Sequence, residues 1–195
     1  MDRWTRVVDL YTLAADRFVA AVAAVPAGGW SAATPCADWD VRALTNHVVG
    51  EDRWVPPLVG GRTIADVGDT LDGDLLGPEP AEAASSAGKA AVAALAEPGA
   101  LGRTVHLSFG DFSAEEYGWQ VLVDHVVHTW DLLAGSGQAR ALDNDLVDAT
   151  AGWWADWAEA YRGAGAVGPP VDVPADASAQ DRLIASFGRD PAWRA

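Results

Sequence analysis

The chain has 195 residues, half of them hydrophobic, with a formal net charge of −15 and a pI near 4.3. That is enough apolar chain to bury one sizeable core unaided, and the single cysteine, Cys36, excludes an internal disulfide and any thiolate-rich zinc site. Such an acidic surface repels polyanions, which excludes nucleic acid and anionic membrane as partners. No apolar run approaches the ~18 residues of a membrane span and Met1–Arg6 opens no signal peptide, so the expectation is a soluble, cytoplasmic monomer or homodimer.

From about Trp4 to Val25 apolar residues recur at three- and four-residue spacing, predicting an amphipathic helix ended by Pro26-Ala27-Gly28-Gly29. Asp40 is placed to cap a second helix whose inner stripe is Val41, Leu44 and Val48, and Pro56-Pro57 should stop it. Residues 60–78 read as loop, with at most one helical turn around Thr63 to Val67, and Pro80 to Glu97 as an Ala-rich helix. Arg103 to Phe109 alternates with period two before Gly110-Asp111, which predicts a short extended arm or hairpin. Ser113 and Glu116 form a capping-box pair opening the strongest helix, Ala114 to Ala134, closed by Gly135-Ser136-Gly137. A helix from about Asn144 to Arg162, a Gly/Pro-rich stretch from Gly163 to Pro174 and a short helix over Ala179 to Phe187 complete the chain. The expected fold is all-α, with residues 1–162 as a helical bundle and 163–195 as a linker and small appendage packed on it.

The histidines stand at 47, 106, 125 and 128. Asp124 and His128 are four residues apart on the long helix, so their side chains lie on one face and can converge on one ion. His47 follows the inner stripe of the second helix, from where its ring can point between helices. Two imidazoles and one carboxylate leave coordination positions open, as catalytic zinc sites and facial-triad iron sites do. His125, three residues before His128, competes as a ligand. Glu51, one turn after His47, is placed to orient an imidazole or a bound water. His106 reads as a surface residue, Cys36 as buried and inert because no basic neighbour lowers its pKa, and Trp130, Trp153, Trp154 and Trp157 as core residues, with a Trp beside the open site able to wall a pocket.

The segments Cys36–His47, Asp124–Leu133 and Gln180–Pro191, with their Trp-x-Val-Arg-x-Leu-x-x-His and His-x-Trp-Asp-Leu patterns, resemble the DinB-like superfamily and, more narrowly, the branch that includes mycothiol-dependent maleylpyruvate isomerase. The resemblance implies a DinB-like four-helix bundle with a divalent metal, zinc first and nickel or iron as alternatives, held by His47, Asp124 and His128. The family more usually has Glu where this chain has Asp124, so water-bridged binding or a shift to His125 is the fallback. Arg189 in the closing segment is expected to pack over the bundle rather than to meet a substrate carboxylate.

The function implied is a thiol-dependent metalloenzyme of isomerase or S-transferase type. Its partners would be a low-molecular-weight thiol such as mycothiol and an electrophilic substrate, and the catalytic residues beyond the ligands remain unassigned. A non-catalytic metal-binding or stress-associated bundle is the alternative.

Overall fold

The computed structural model describes residues 3–194, with side chains from residue 7 onward, so the expected core position Trp4 lies outside the described side chains. Among the described residues the protein is mostly helical, with one small two-stranded sheet. Helix α1 (Arg3–Ala23) leads through a loop to α2 (Val41–Val59). A one-turn α3 (Ile64–Val67) and α4 (Pro80–Ala96) follow, then strands β1 (Thr104–Leu107) and β2 (Gly110–Ser113), and finally α5 (Ala114–Gly135), α6 (Asn144–Gly163) and α7 (Ala179–Ser186). No helix is long and apolar enough to cross a membrane.

Local chemistry sets the helix starts. The Asp40 carboxylate accepts from the backbone N–H of Ala43, and the Ser113 hydroxyl accepts from that of Glu116, each satisfying a donor that the first turn leaves free. The Glu116 carboxylate accepts from the Trp153 indole of α6. The second helix does not stop at Pro56-Pro57, as the sequence suggests, but runs on to Val59. Proline's fixed φ suits a helix, and the bonds forgone by its missing N–H groups are offset by burial of Val55, Leu58 and Val59 in the core.

Helix α1 packs on α4 and α5, and α2 packs on the same two, so these four helices enclose the main core. A buried polar cluster sits at their centre. Asp52 of α2 accepts from the Tyr11 hydroxyl of α1 and lies 2.7 Å from Nε2 of His125 on α5, with all three side chains removed from solvent. Helix α4 closes over it at Gly88, where a Cβ would meet Ala15 Cβ at 3.2 Å and Asp52 Oδ2 at 3.4 Å. Burial, and then the charge of Asp52, hold the Tyr11 phenol well above its ordinary pKa, so it remains a donor. The β1–β2 hairpin pairs Thr104 with Ser113 and Leu107 with Gly110 beside the entry to α5. Helix α7 packs against α6, burying Leu183 and, just beyond it, Phe187, which stacks on Trp154 at 3.9 Å between ring centroids, while Ile184 is buried against Trp130 and Ala134 of α5.

Candidate metal centre

Helix α5 carries Gln120, Asp124 and His128 at four-residue intervals on one face, and α2 brings His47 against that face. His47 Nε2 lies 3.2 Å from Asp124 Oδ2 and His128 Nε2 lies 3.3 Å from Asp124 Oδ1. Ligand atoms of the three residues all fall within 4.8 Å of one another. The loop before α2 completes the arrangement: Trp39, next to the capping Asp40, lies over the His47 ring at 4.4 Å and reaches His128 at 5.5 Å. That loop is pressed onto the end of α5 at Gly135, where a Cβ would stand 2.8 Å from the Ala33 carbonyl and 2.9 Å from Thr34 Cγ2. The Thr34 hydroxyl in turn donates to the Trp39 carbonyl.

Behind His128 stands a group that sequence reasoning did not assign. Its Nδ1 lies 3.0 Å from Oδ2 of Asp131, which is fully buried, and the guanidinium of Arg189 reaches the same oxygen at 3.0 Å. A carboxylate only accepts, so Nδ1 of His128 carries a proton, while Nε2 faces the Asp124 carboxylate. The three-residue step from His128 to Asp131 was the available signal. Arg189 is 58 residues further on and donates also to the Phe187 carbonyl, so it packs, as expected, rather than standing free for a substrate.

His125 is placed elsewhere. One residue on from Asp124, and so about 100° round the helix, it turns into the bundle interior, edge-on to Tyr11 and Phe18, with Asp52 as its partner. The structure does not bring it to the other two imidazoles. His106 is on β1, across the hairpin from Asp111 at 2.8 Å, and is exposed.

Electrostatics within the cluster are dominated by Asp124. Burial works to lower both imidazoles, but the adjacent carboxylate outweighs it, so His47 is raised and His128, with Asp131 as well, is pushed up to about 9. Burial opposes ionisation of Asp124, yet the two imidazoles hold it well below the usual carboxylate range. Burial first, and then the charge of Asp124, push Glu51 up to about 7.

Two cavities meet at the cluster and share His47, Gln120, Asp124 and Tyr161 in their walls. One, of about 360 Å³, lies between α2, α5 and the hairpin and contains Glu51. The other, of about 320 Å³, is walled by Cys36, Trp39, Trp153, Trp154 and Arg189. Trp154 is core and, with Trp153 packed beside it, also walls this cavity, while Trp130 is core against Ile184. Cys36 is half-buried at this wall rather than sealed in the core, and burial raises its thiol pKa, with Arg189 only partly opposing.

The fold and site define a mostly helical protein with an open two-histidine, one-carboxylate cluster between two of its helices. The model of a DinB-like family, the mycothiol maleylpyruvate isomerase N-terminal domain, matches residues 11–133, and the chain belongs to this family. The matched span takes in His47, Asp124, His128 and Asp131 and ends before Arg189. The chain is 30% identical over 184 residues to an uncharacterized protein of Mycobacterium tuberculosis strain CDC 1551 / Oshkosh, covering 90% of this chain and 93% of the relative. An uncharacterized protein of Mycobacterium tuberculosis strain H37Rv matches with the same identity and coverage. No solved structure matches the chain.

Proposed function

We propose that the protein is a DinB-like four-helix bundle whose His47, Asp124 and His128 hold one divalent metal, zinc first. We further propose that it uses the metal to activate a low-molecular-weight thiol such as mycothiol for isomerisation or S-transfer, in the cytoplasm. The observation that carries this is the convergence of three ligand atoms within 4.8 Å at the junction of two cavities. The donor set fits the ion: two imidazoles and one carboxylate suit zinc, nickel or iron, and the Asp131 contact leaves Nε2 of His128 as the ligating nitrogen. Residues 1–162 form the metal-binding bundle in this reading, and 163–195 cover it, with Arg189 fastening the cover to Asp131.

A divalent ion at this position supplies Lewis acidity that makes a thiol available as thiolate at neutral pH. The chain's own residues do the rest. Asp131 keeps the Nδ1 proton on His128, Trp39 packs against both imidazoles, and Trp153 and Trp154 wall the space where sulfur and electrophile would meet. Family membership and the printed description of the matched domain support the thiol as partner. Cobalt substitution tests the reading: mycothiol should add a thiolate-to-metal charge-transfer band near the ultraviolet edge of the cobalt spectrum. If no band and no thiol-dependent heat appear, the thiol reading fails and a non-catalytic metal-binding bundle replaces it.

A further inference from the structure

A further cavity, of about 210 Å³, lies between α1, α5 and the segment leading into α6, and none of His47, Asp124 and His128 lines it. Its wall is largely aliphatic, with Ala14, Val126, Leu133 and Leu146 all buried. The charged side chains that line it, among the described residues, are Arg17 and Asp143, and they pair with each other at 2.6 Å. Gln138, also in the lining, donates its amide N–H₂ to the Ala21 carbonyl and the Ser136 hydroxyl.

Thr129 is the polar lining residue left over. It is 4% exposed, and its Oγ1 is buried without a hydrogen-bond partner. A helical threonine commonly returns its hydroxyl to the carbonyl one turn back, as Thr12 does to Val8 and Thr45 to Val41. Thr129 forgoes that bond, and its side chain lines the cavity instead. Thr150 also lacks a partner, but it lines neither this cavity nor the two at the cluster. A hydroxyl both donates and accepts, so one buried unpaired carries its whole desolvation cost until a group in the adjoining space answers it.

We infer that this cavity is a second ligand site, which takes a small uncharged ring compound bearing one hydroxyl, of the size of phenol, with that hydroxyl bonded to Thr129 Oγ1. Roughly 150 Å³ of apolar cavity already accepts a benzene ring, so the volume suits a ring with one substituent. The aliphatic wall meets the ring. With Arg17 and Asp143 matched to each other, the group left to be answered is the neutral hydroxyl. The inference is independent of the metal and thiol reading, whose three ligand residues lie outside this lining.

The test is an amide-NMR titration of the full-length protein with phenol and with toluene, in which a methyl group of similar size replaces the hydroxyl. Both probes should shift the amides of Ala21, Thr129 and Leu146. Ala141→Phe, which enters the space from an exposed lining position, should weaken both about tenfold or more. Thr129→Val keeps the shape of the side chain and removes its hydroxyl. It should weaken phenol about fivefold while leaving toluene within about twofold, and it should not lower the melting temperature of the free protein, because the group removed has no partner there. Phenol that leaves the amides of this lining unmoved would overturn the inference and assign the hydroxyl to water alone. A Thr129→Val protein that binds phenol as tightly as the wild type, or that loses both probes alike, would overturn it too. So would a clear fall in its melting temperature, which would mean that the hydroxyl is already bonded within the protein.

Discussion

Replacing Asp131 by asparagine keeps the size of the side chain and removes its charge. The carboxylate is fully buried and receives both His128 Nδ1 and the Arg189 guanidinium, itself only 15% exposed. In the variant an amide N–H₂ faces the Arg189 Nε that now lies 3.4 Å from Asp131 Oδ1, and the cation is left without a counter-charge. Breaking a buried ion pair from one side costs about 3–5 kcal/mol; because the asparagine carbonyl can still accept, the lower end, about 3 kcal/mol, applies. For a chain of this size that is a fall in Tm of about 6–12 °C. His128 also loses the partner that fixes its tautomer, so metal affinity should drop about 10- to 100-fold. Thermal melts and competition with a chromophoric chelator measure the two effects. The Asp131→Asn/Arg189→Met double variant should be more stable than the sum of the single losses by about 1 kcal/mol or more. Additive stabilities together with metal affinity unchanged within about twofold would refute the clamp.

His47→Ala or His128→Ala should abolish metal retention, whereas His125→Ala should keep it and lose about 3–5 kcal/mol by leaving buried Asp52 short of a partner. Elemental analysis and melts separate the two, and full occupancy in His128→Ala would remove the proposed site. Saturating metal at about 100 times its dissociation constant should add about 2.7 kcal/mol, or about 5–11 °C in Tm, with helical circular dichroism retained in chelator. In chelated protein His128 is raised from its ordinary value of 6.5 to about 9, so its stabilising contribution is full below about pH 6.5 and is lost as pH rises through about 9. The melting temperature of chelated protein should therefore carry a downward contribution across that window that His128→Gln removes. Metal affinity should climb over the same range as the competing proton leaves.

The helices were legible because their signals are local. Asp40 and Ser113 cap as their sequence context indicates, and the period-two arm before Gly110 is the hairpin. Pro56-Pro57 misled because a proline rule is also local, whereas the burial of Leu58 and Val59 that carries the helix onward depends on the opposing helices. The three candidate ligands divide the same way. Asp124 and His128 could be paired from their four-residue spacing, and His47 from the stripe it follows. His125 could not be placed, since spacing alone leaves it near either face, and its partner Asp52 lies 73 residues away. The Arg189 clamp and the Trp39 stack on His47 were invisible for the same reason: each requires knowing which faces meet.

The separate placement of His125 explains why the proposed centre can remain open. On the inward face His125 ties α5 to α2 through Asp52, Tyr11 adds α1, and Gly88 brings α4 onto the same carboxylate. The four main helices are therefore held at a common polar point inside a large apolar core. On the outward face Asp124 and His128 meet His47 with cavities to either side, and their removal would leave the inward cluster intact. A metal that had to hold the helices together would need its coordination closed by protein groups. Here the core already does that work, so the three ligands proposed from α2 and α5 can leave coordination positions open.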